Sequence, residues 1–286
     1  LMLLMQKYPA LSERDPETFT GFPYSAPEEM LADLQSRIAG DFPAFPDTSG
    51  SFSPSCTIKS VSPSMEDYSS PAYYLTPPID DMSSNIIYIN HKNMPDALTL
   101  YTTLAHEGYP GHLYQTVYSQ LYLQSQNASG LRYLLHYGGY TEGWALYVEN
   151  LSYYYARQMV EHTQPSEAAW YEACRLNRNL LLCLYSLLDI AIHYEGATPA
   201  QVRGILGEMG ITDPQAAASV YEYIVEEPVN YLKYYLGFLE FLSLREKAQE
   251  LWGEDFTLMR FHRFVLETGP SDFQSLTQQL TATASP

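Results

Sequence analysis

Cysteine, positive charge and long apolar runs are all scarce in this sequence, and each scarcity removes a class of protein. Three cysteines in 286 residues (Cys56, Cys174 and Cys183) cannot build a disulfide framework. Cys174 and Cys183 lie in one strongly helical stretch, about 13 Å apart along a helix axis, too far for a bond between them. The three also lack the paired short spacing of a structural zinc site, so all read as buried thiols that behave as small hydrophobes. Lysine and arginine number 15 against 33 acidic residues, a formal charge of −18. Such a field repels phosphate backbones and excludes nucleic acid as a partner. No apolar run approaches the roughly 20 residues needed to span a bilayer. The opening residues show no charged-then-apolar leader pattern. Leu1–Tyr8 instead reads as the end of a helix already in progress, which makes the chain a piece of a longer protein by expectation.

What is present is a composition 46% hydrophobic and 17% charged, that of an ordinary globular protein. Residues 9–80 are rich in Pro, Ser, Asp and Thr. They contain one convincing helix, starting near Ser25-Ala26-Pro27-Glu28-Glu29, where a serine cap, an early proline and acidic residues suit an N-terminus. Asp47–Ser51 reads as a loop. Cys56–Val61, Ala72–Leu75 and Asn85–Asn90 are strand candidates, the last the best. From Pro95 onward the periodicity is helical: Pro95–Gln124, Leu131–Glu161 (interrupted at Gly138-Gly139), Pro165–Tyr194, Pro199–Met209, Pro214–Val225, Pro228–Trp252, Phe256–Leu266 and Ser271–Thr281. No internal repeat appears. The expected fold is mainly α, with a small antiparallel sheet ahead of a metal-binding helix. Residues 1–80 form an extended N-terminal segment with one helix and the first strands, within the same domain as the helical catalytic body at 81–286.

The chemistry concentrates in His106-Glu107-Gly108-Tyr109-Pro110-Gly111-His112. Zinc-peptidase helices place two histidines four apart, because about 100° per residue returns them to one face. Here the second histidine comes six later, about 120° off in a regular helix. Pro110 removes a backbone hydrogen bond and Gly111 tolerates unusual dihedrals, so a bulge absorbing two residues is expected to bring His112 back beside His106. Zinc wants a third protein ligand and an open position. Glu142, in Thr141-Glu142-Gly143-Trp144-Ala145-Leu146-Tyr147-Val148-Glu149, stands at nearly the height of His112 if the helices flanking Ser125–Gly130 form an antiparallel pair. Glu149, seven positions on, is placed to orient a histidine ligand. A di-iron carboxylate bundle is the rival metal reading, but it needs Glu-x-x-His, and no glutamate here has histidine three residues later.

These motifs resemble the bacterial family known as domain of unknown function 885, whose members carry His-Glu-x-x-Pro-Gly-His followed by Glu-Gly-Trp-Ala-Leu-Tyr-x-Glu. The likeness runs over roughly residues 70–280, through Asp189–His193, Pro228–Gly237 with Tyr234, and Phe261–Leu266. It implies a distant branch of the glutamate-liganded zinc peptidases, helical enzymes with a deep channel, usually considerably longer than this chain. Two departures stand out. Family members tend to have Pro-Gly-Gln where this chain has Pro228-Val229-Asn230, and Asp after Phe-His where it has Arg263.

The expected activity is zinc-dependent hydrolysis of a peptide bond. Zn2+ sits on His106, His112 and Glu142, and Glu107 is the general base. Tyr234, Tyr235 and His193 are candidate donors to the oxyanion, and Asp189 could orient His193 from one turn away. His91, His136, His162 and His262 read as surface or core histidines. The strand Asn85–Asn90 either pairs with an extended substrate or is a plain sheet member. The partner is a peptide or small amide. A zinc amidase acting on non-peptide amides and a non-catalytic metal-containing binding protein are the alternatives. Oligomeric state stays open, as does compartment, between the bacterial envelope or exterior and the cytoplasm.

Overall fold

The computed structural model describes residues 6–7, 21–46 and 52–283. The expected loop at Asp47–Ser51 lies outside them, as does the helix end at Leu1–Tyr8 apart from Gln6 and Lys7. In chain order the elements are α1 (Pro27–Arg37), β1 (Ser55–Ser60), β2 (Ala72–Leu75), β3 (Ser84–Ile89), α2 (Ala97–Glu107), α3 (His112–Ser125), the short α4 (Leu131–Leu134), α5 (Gly138–Val160) and α6 (Pro165–His193). There follow α7 (Pro199–Glu208), α8 (Pro214–Glu226), α9 (Asn230–Trp252), α10 (Leu258–Thr268) and α11 (Phe273–Ala282). The protein is mainly α, and among the described residues no helix is long and apolar enough to cross a membrane.

Local chemistry explains most boundaries. Prolines open α1, α6, α7 and α8, where a missing N–H costs nothing. Asp96, Thr198, Asp213, Thr257 and Asp272 accept backbone N–H groups at the starts of their helices. The expected serine cap of α1 is not formed. Ala26 is the cap residue and makes no side-chain bond, so proline and the acidic first turn start that helix.

The sheet is mixed rather than antiparallel. Its order is β1-β3-β2, with β1 parallel and β2 antiparallel to β3. The most β-branched run takes the centre, with Asn85, Ile87 and Ile89 turned into the core. Being paired on both sides, β3 has no edge left for a substrate, which removes that reading of Asn85–Asn90.

One apolar core runs from Met30 and Leu34 of α1 through Tyr101, Leu104 and Trp144 to Phe241 and Leu280. A smaller core gathers α7 and α8 against the C-terminal half of α6, around Leu188, Val202 and Ile224. At the crossing of α5 and α9 two glycines meet. A Cβ on Gly143 would lie 2.4 Å from the backbone of Gly237, so only glycine permits this approach, which sets Glu142 and Tyr234 beside one another.

His262 fastens the segment after α1 to the helical body. Its ring stacks on Phe42 at 3.9 Å. Nδ1 donates to the Asp41 carbonyl at 2.7 Å, which leaves Nε2 to accept from the Tyr147 hydroxyl at 3.0 Å. Burial, helped by Arg245, depresses its pKa to about 3 against the carbonyl's opposing pull. In the unfolded chain an imidazole titrates near 6.5. The contribution of this neutral ring is therefore complete above pH 6.5 and is lost as pH falls from there toward 3. Denaturation midpoints measured without added metal are expected to fall less steeply between pH 6.5 and 4.5 in His262→Gln than in the wild type. Equal slopes would refute the assignment.

Candidate metal centre

A cavity of about 970 Å³ opens where β2, α2, α5, α6 and α9 converge, with Tyr74, Glu107, Glu142, Arg178, Asn230 and Tyr234 on its walls. The helix carrying His106 does not bulge to absorb two residues. It stops at Glu107, where Gly108 N–H closes the last turn on Leu104 at 2.8 Å, and a new helix starts at His112. Between them the Tyr109-Pro110 peptide is cis. Gly111 packs so tightly under α2 that a Cβ there would fall 1.8 Å from the His106 carbonyl oxygen. Trp144 Nε1 donates to the Pro110 carbonyl at 2.9 Å, pinning the connection to α5. His106 thus sits in the last turn of one helix and His112 begins the next, and their rings meet edge to face with centroids 4.8 Å apart.

Glu142 completes the group, though not through a hairpin of α3 and α5. The helix α5 packs chiefly along α9, α2 and α6, and only lightly on α3, so the carboxylate reaches both histidines from across α2. Its Oε2 stands 3.5 Å from His106 Nε2 and 3.4 Å from His112 Nε2. One ligand atom from each of the three residues lies within 4.8 Å of the others. That Oε2 is buried and has no hydrogen-bond partner, an arrangement that costs free energy unless something sits between the three atoms. Three atoms at tetrahedral positions, each about 2.0–2.2 Å from one zinc ion, stand about 3.3–3.6 Å apart. Two measured separations fall in that range, and the donor set, two imidazoles and a carboxylate, is one that zinc takes in open sites.

The electrostatics ask for the same positive charge. Burial alone would depress the His106 pKa, but contacts with Glu142 and Glu149 and the charge of Glu107 raise it to about 10. Glu142 is held well below the usual carboxylate range by the two imidazoles, against the effect of burial. Glu149 Oε2 lies 3.0 Å from His106 Nδ1, and Arg178 Nε donates to Glu149 Oε1 at 2.9 Å. Against its burial, Arg178 and His106 lower the Glu149 pKa to about 2. A carboxylate accepting from Nδ1–H turns the lone pair of a neutral ring out at Nε2, toward Glu142 and His112.

The family described as bacterial protein of unknown function, domain 885, matches residues 8–280. The chain belongs to it. No curated protein is significantly similar in sequence. Among solved structures, a predicted lipoprotein of Colwellia psychrerythraea is 25% identical with a TM-score of 0.75, over 99% of this chain and 48% of that one. A predicted lipoprotein of unknown function from Shewanella oneidensis is 21% identical with a TM-score of 0.64, over 89% and 44% respectively. The chain spans about half the length of these two solved structures.

Just ahead of α9 this chain holds Val229 at φ 68°. That left-handed conformation costs a β-branched residue about 1–2 kcal/mol. Asp189 Oδ1 accepts the Val229 N–H at 3.2 Å. Asp189 therefore steadies the start of α9 instead of orienting His193. His193 sits exposed at the end of α6, with Nε2 2.9 Å from the Ile224 carbonyl, and does not line the cavity. Tyr235 also points away, toward Phe238 and Cys183. Of the three expected donors only Tyr234 lines the cavity, with its ring stacked on His106 at 6.0 Å and 21°. Apolar residues lie all round α9, so its sequence does not mark which of two adjacent tyrosines faces inward.

The cysteines form no disulfide and are half-buried rather than fully buried, and burial raises the Cys56 pKa to about 11. His91, His136 and His162 are exposed, whereas His262 belongs to the core. Two contributors escape sequence reasoning. The Tyr74 backbone N–H of β2 donates to Glu107 Oε2 at 2.8 Å, and Arg178 braces Glu149. Nothing in local spacing marks either one, since both depend on distant elements folding together.

Proposed function

We propose that this chain is the metal-binding, catalytic part of a zinc-dependent peptidase related to the glutamate-liganded zinc peptidases. The observation that carries this reading is the convergence of His106, His112 and a buried Glu142 oxygen that makes no hydrogen bond on one point of a large cavity, with Glu107 on the same wall. His106, His112 and Glu142 would hold a zinc ion, which when bound would supply a Lewis acid and lower the pKa of a water to about 7. Glu107, fixed through Oε2 by the Tyr74 amide, accepts the proton of the attacking water and delivers it to the leaving amine. Tyr234 keeps its proton, because burial and the nearby charges of Glu142 and Glu107 raise its pKa. Its hydroxyl is then the donor to the oxyanion. Glu149 and Arg178 hold the His106 ring in position. A setting in the bacterial cell envelope is supported by the two solved relatives described as predicted lipoproteins.

Elemental analysis of the purified protein is expected to find one zinc per chain. The metal-replete protein is expected to cleave short N-acylated peptides in preference to acylated small amides. Absence of bound metal, or hydrolysis confined to the small amides, would overturn the peptidase reading.

A further inference from the structure

Among the described residues Arg178 is the only lysine or arginine on the cavity wall, in a chain with a formal charge of −18. Its side chain is 42% exposed, so the guanidinium is not consumed by the core. Nε is committed to Glu149 at 2.9 Å, and among the described residues the two Nη nitrogens make no hydrogen bond with the protein. Glu149 holds the guanidinium at Nε, and Arg178 lines the cavity. The phenols of Tyr153, Tyr231 and Tyr234 lie close enough to feel its charge, and the side chains of Asn177 and Asn230 share the same wall.

A guanidinium presents parallel donors whose spacing matches the two oxygens of a carboxylate. Held in a partly dehydrated cavity with donors unused, it selects a planar anion. Arg178 is also near the reacting centre. Only the Glu149 carboxylate separates it from the ligand His106, with contacts of 3.0 and 2.9 Å on its two sides. An extended residue spans about 3.3–3.6 Å, so an anion seated on Arg178 can belong to a group one or two residues from the scissile carbonyl.

We propose that Arg178 anchors the free α-carboxylate of the substrate, which makes the enzyme a carboxypeptidase that removes one or two residues from a C-terminus. This assignment rests on the hydrolase reading above. Besides bracing Glu149, Arg178 is on this account a substrate-binding residue that contributes mainly through KM.

The test compares N-acylated peptides ending in a free carboxylate with the same peptides ending in a carboxamide. Wild-type kcat/KM is expected to favour the acid by about 10²-fold or more, the size of a lost buried charge pair. In Arg178→Gln the acid-to-amide ratio is expected to fall close to one, mainly through KM, with zinc content preserved. Arg178→Lys keeps the charge beside Glu149 without the fork. It is expected to retain a reduced preference, and it covers the case in which the glutamine variant fails to fold. A purely structural role would lower acid and amide alike and leave the ratio intact, which overturns the proposal. Calorimetric binding of the same peptides to zinc-loaded Glu107→Gln separates the two claims. Equal affinity for acid and amide, with turnover of both by the wild type, defeats the carboxylate anchor and spares the hydrolase. Selective binding of the acid, with neither peptide cleaved by the wild type, defeats the hydrolase and spares the anchor. Neither binding nor cleavage defeats both.

Discussion

Replacing Glu107 by glutamine is expected to lower kcat by about 10²–10⁴-fold, the usual contribution of a positioned general base, with zinc content and KM close to wild type. Glutamine has the size and shape of glutamate. Its carbonyl oxygen can still accept the Tyr74 amide that now bonds Glu107 Oε2 at 2.8 Å, so the side chain stays in place. What disappears is the capacity to take up a proton. Glu107 is not among the three residues whose ligand atoms converge, so the metal is expected to stay. Turnover assays paired with metal analysis check this directly. A variant as active as the wild type removes Glu107 from the mechanism, and a variant that loses its zinc makes Glu107 a ligand.

The substitution Gly111→Ala is expected to abolish stoichiometric zinc binding and to destabilise the fold by at least the roughly 1–3 kcal/mol of ordinary overpacking. A Cβ at this position would stand 1.8 Å from the His106 carbonyl oxygen and 2.3 Å from that of Ala105. Both obstacles are backbone, so no side-chain rotation relieves them. The end of α2 and the start of α3 have to separate, and that junction is what sets two histidine rings 4.8 Å apart. Gly204, with nothing within 4 Å of its added Cβ, supplies the control as Gly204→Ala. Denaturation midpoints and metal content are the measurements. Retention of one zinc and a wild-type midpoint would show that the connection has slack which the close approach denies.

Proline and glycine between His106 and His112 announce that regular helix geometry is broken there, and the spacing names the residues that need to meet. It does not give the form of the break. A bulge inside one helix and a stop followed by a new helix both bring the histidines together, and tertiary packing chooses between them: Trp144 holds the Pro110 carbonyl and Gly111 fits under α2. In the same way Glu142 reaches the histidines across α2, while the hairpin argument from equal heights relied on a helix pairing that is only lightly made.

Tyr234 and Tyr235 illustrate the limit most directly. Adjacent positions on a helix differ by about 100°, and the partly apolar surroundings of α9 give no sequence sign of which one meets the cavity. Asp189 and His193 share a helix face, yet one turns to a left-handed valine and the other to the carbonyl of Ile224. Spacing within a helix fixes relative direction but not what stands opposite.

The amino-acid order by itself determined the helical body, nearly every helix start, the three strands and the side chains able to ligate a metal, because these follow from periodicity, proline placement and residue chemistry acting over a few positions. Only the tertiary structure decided the mixed sheet order, the inward tyrosine, the Tyr74 amide on Glu107 and the Glu149–Arg178 brace. Each of those joins elements far apart in the chain, and such contacts are set by which surfaces pack together.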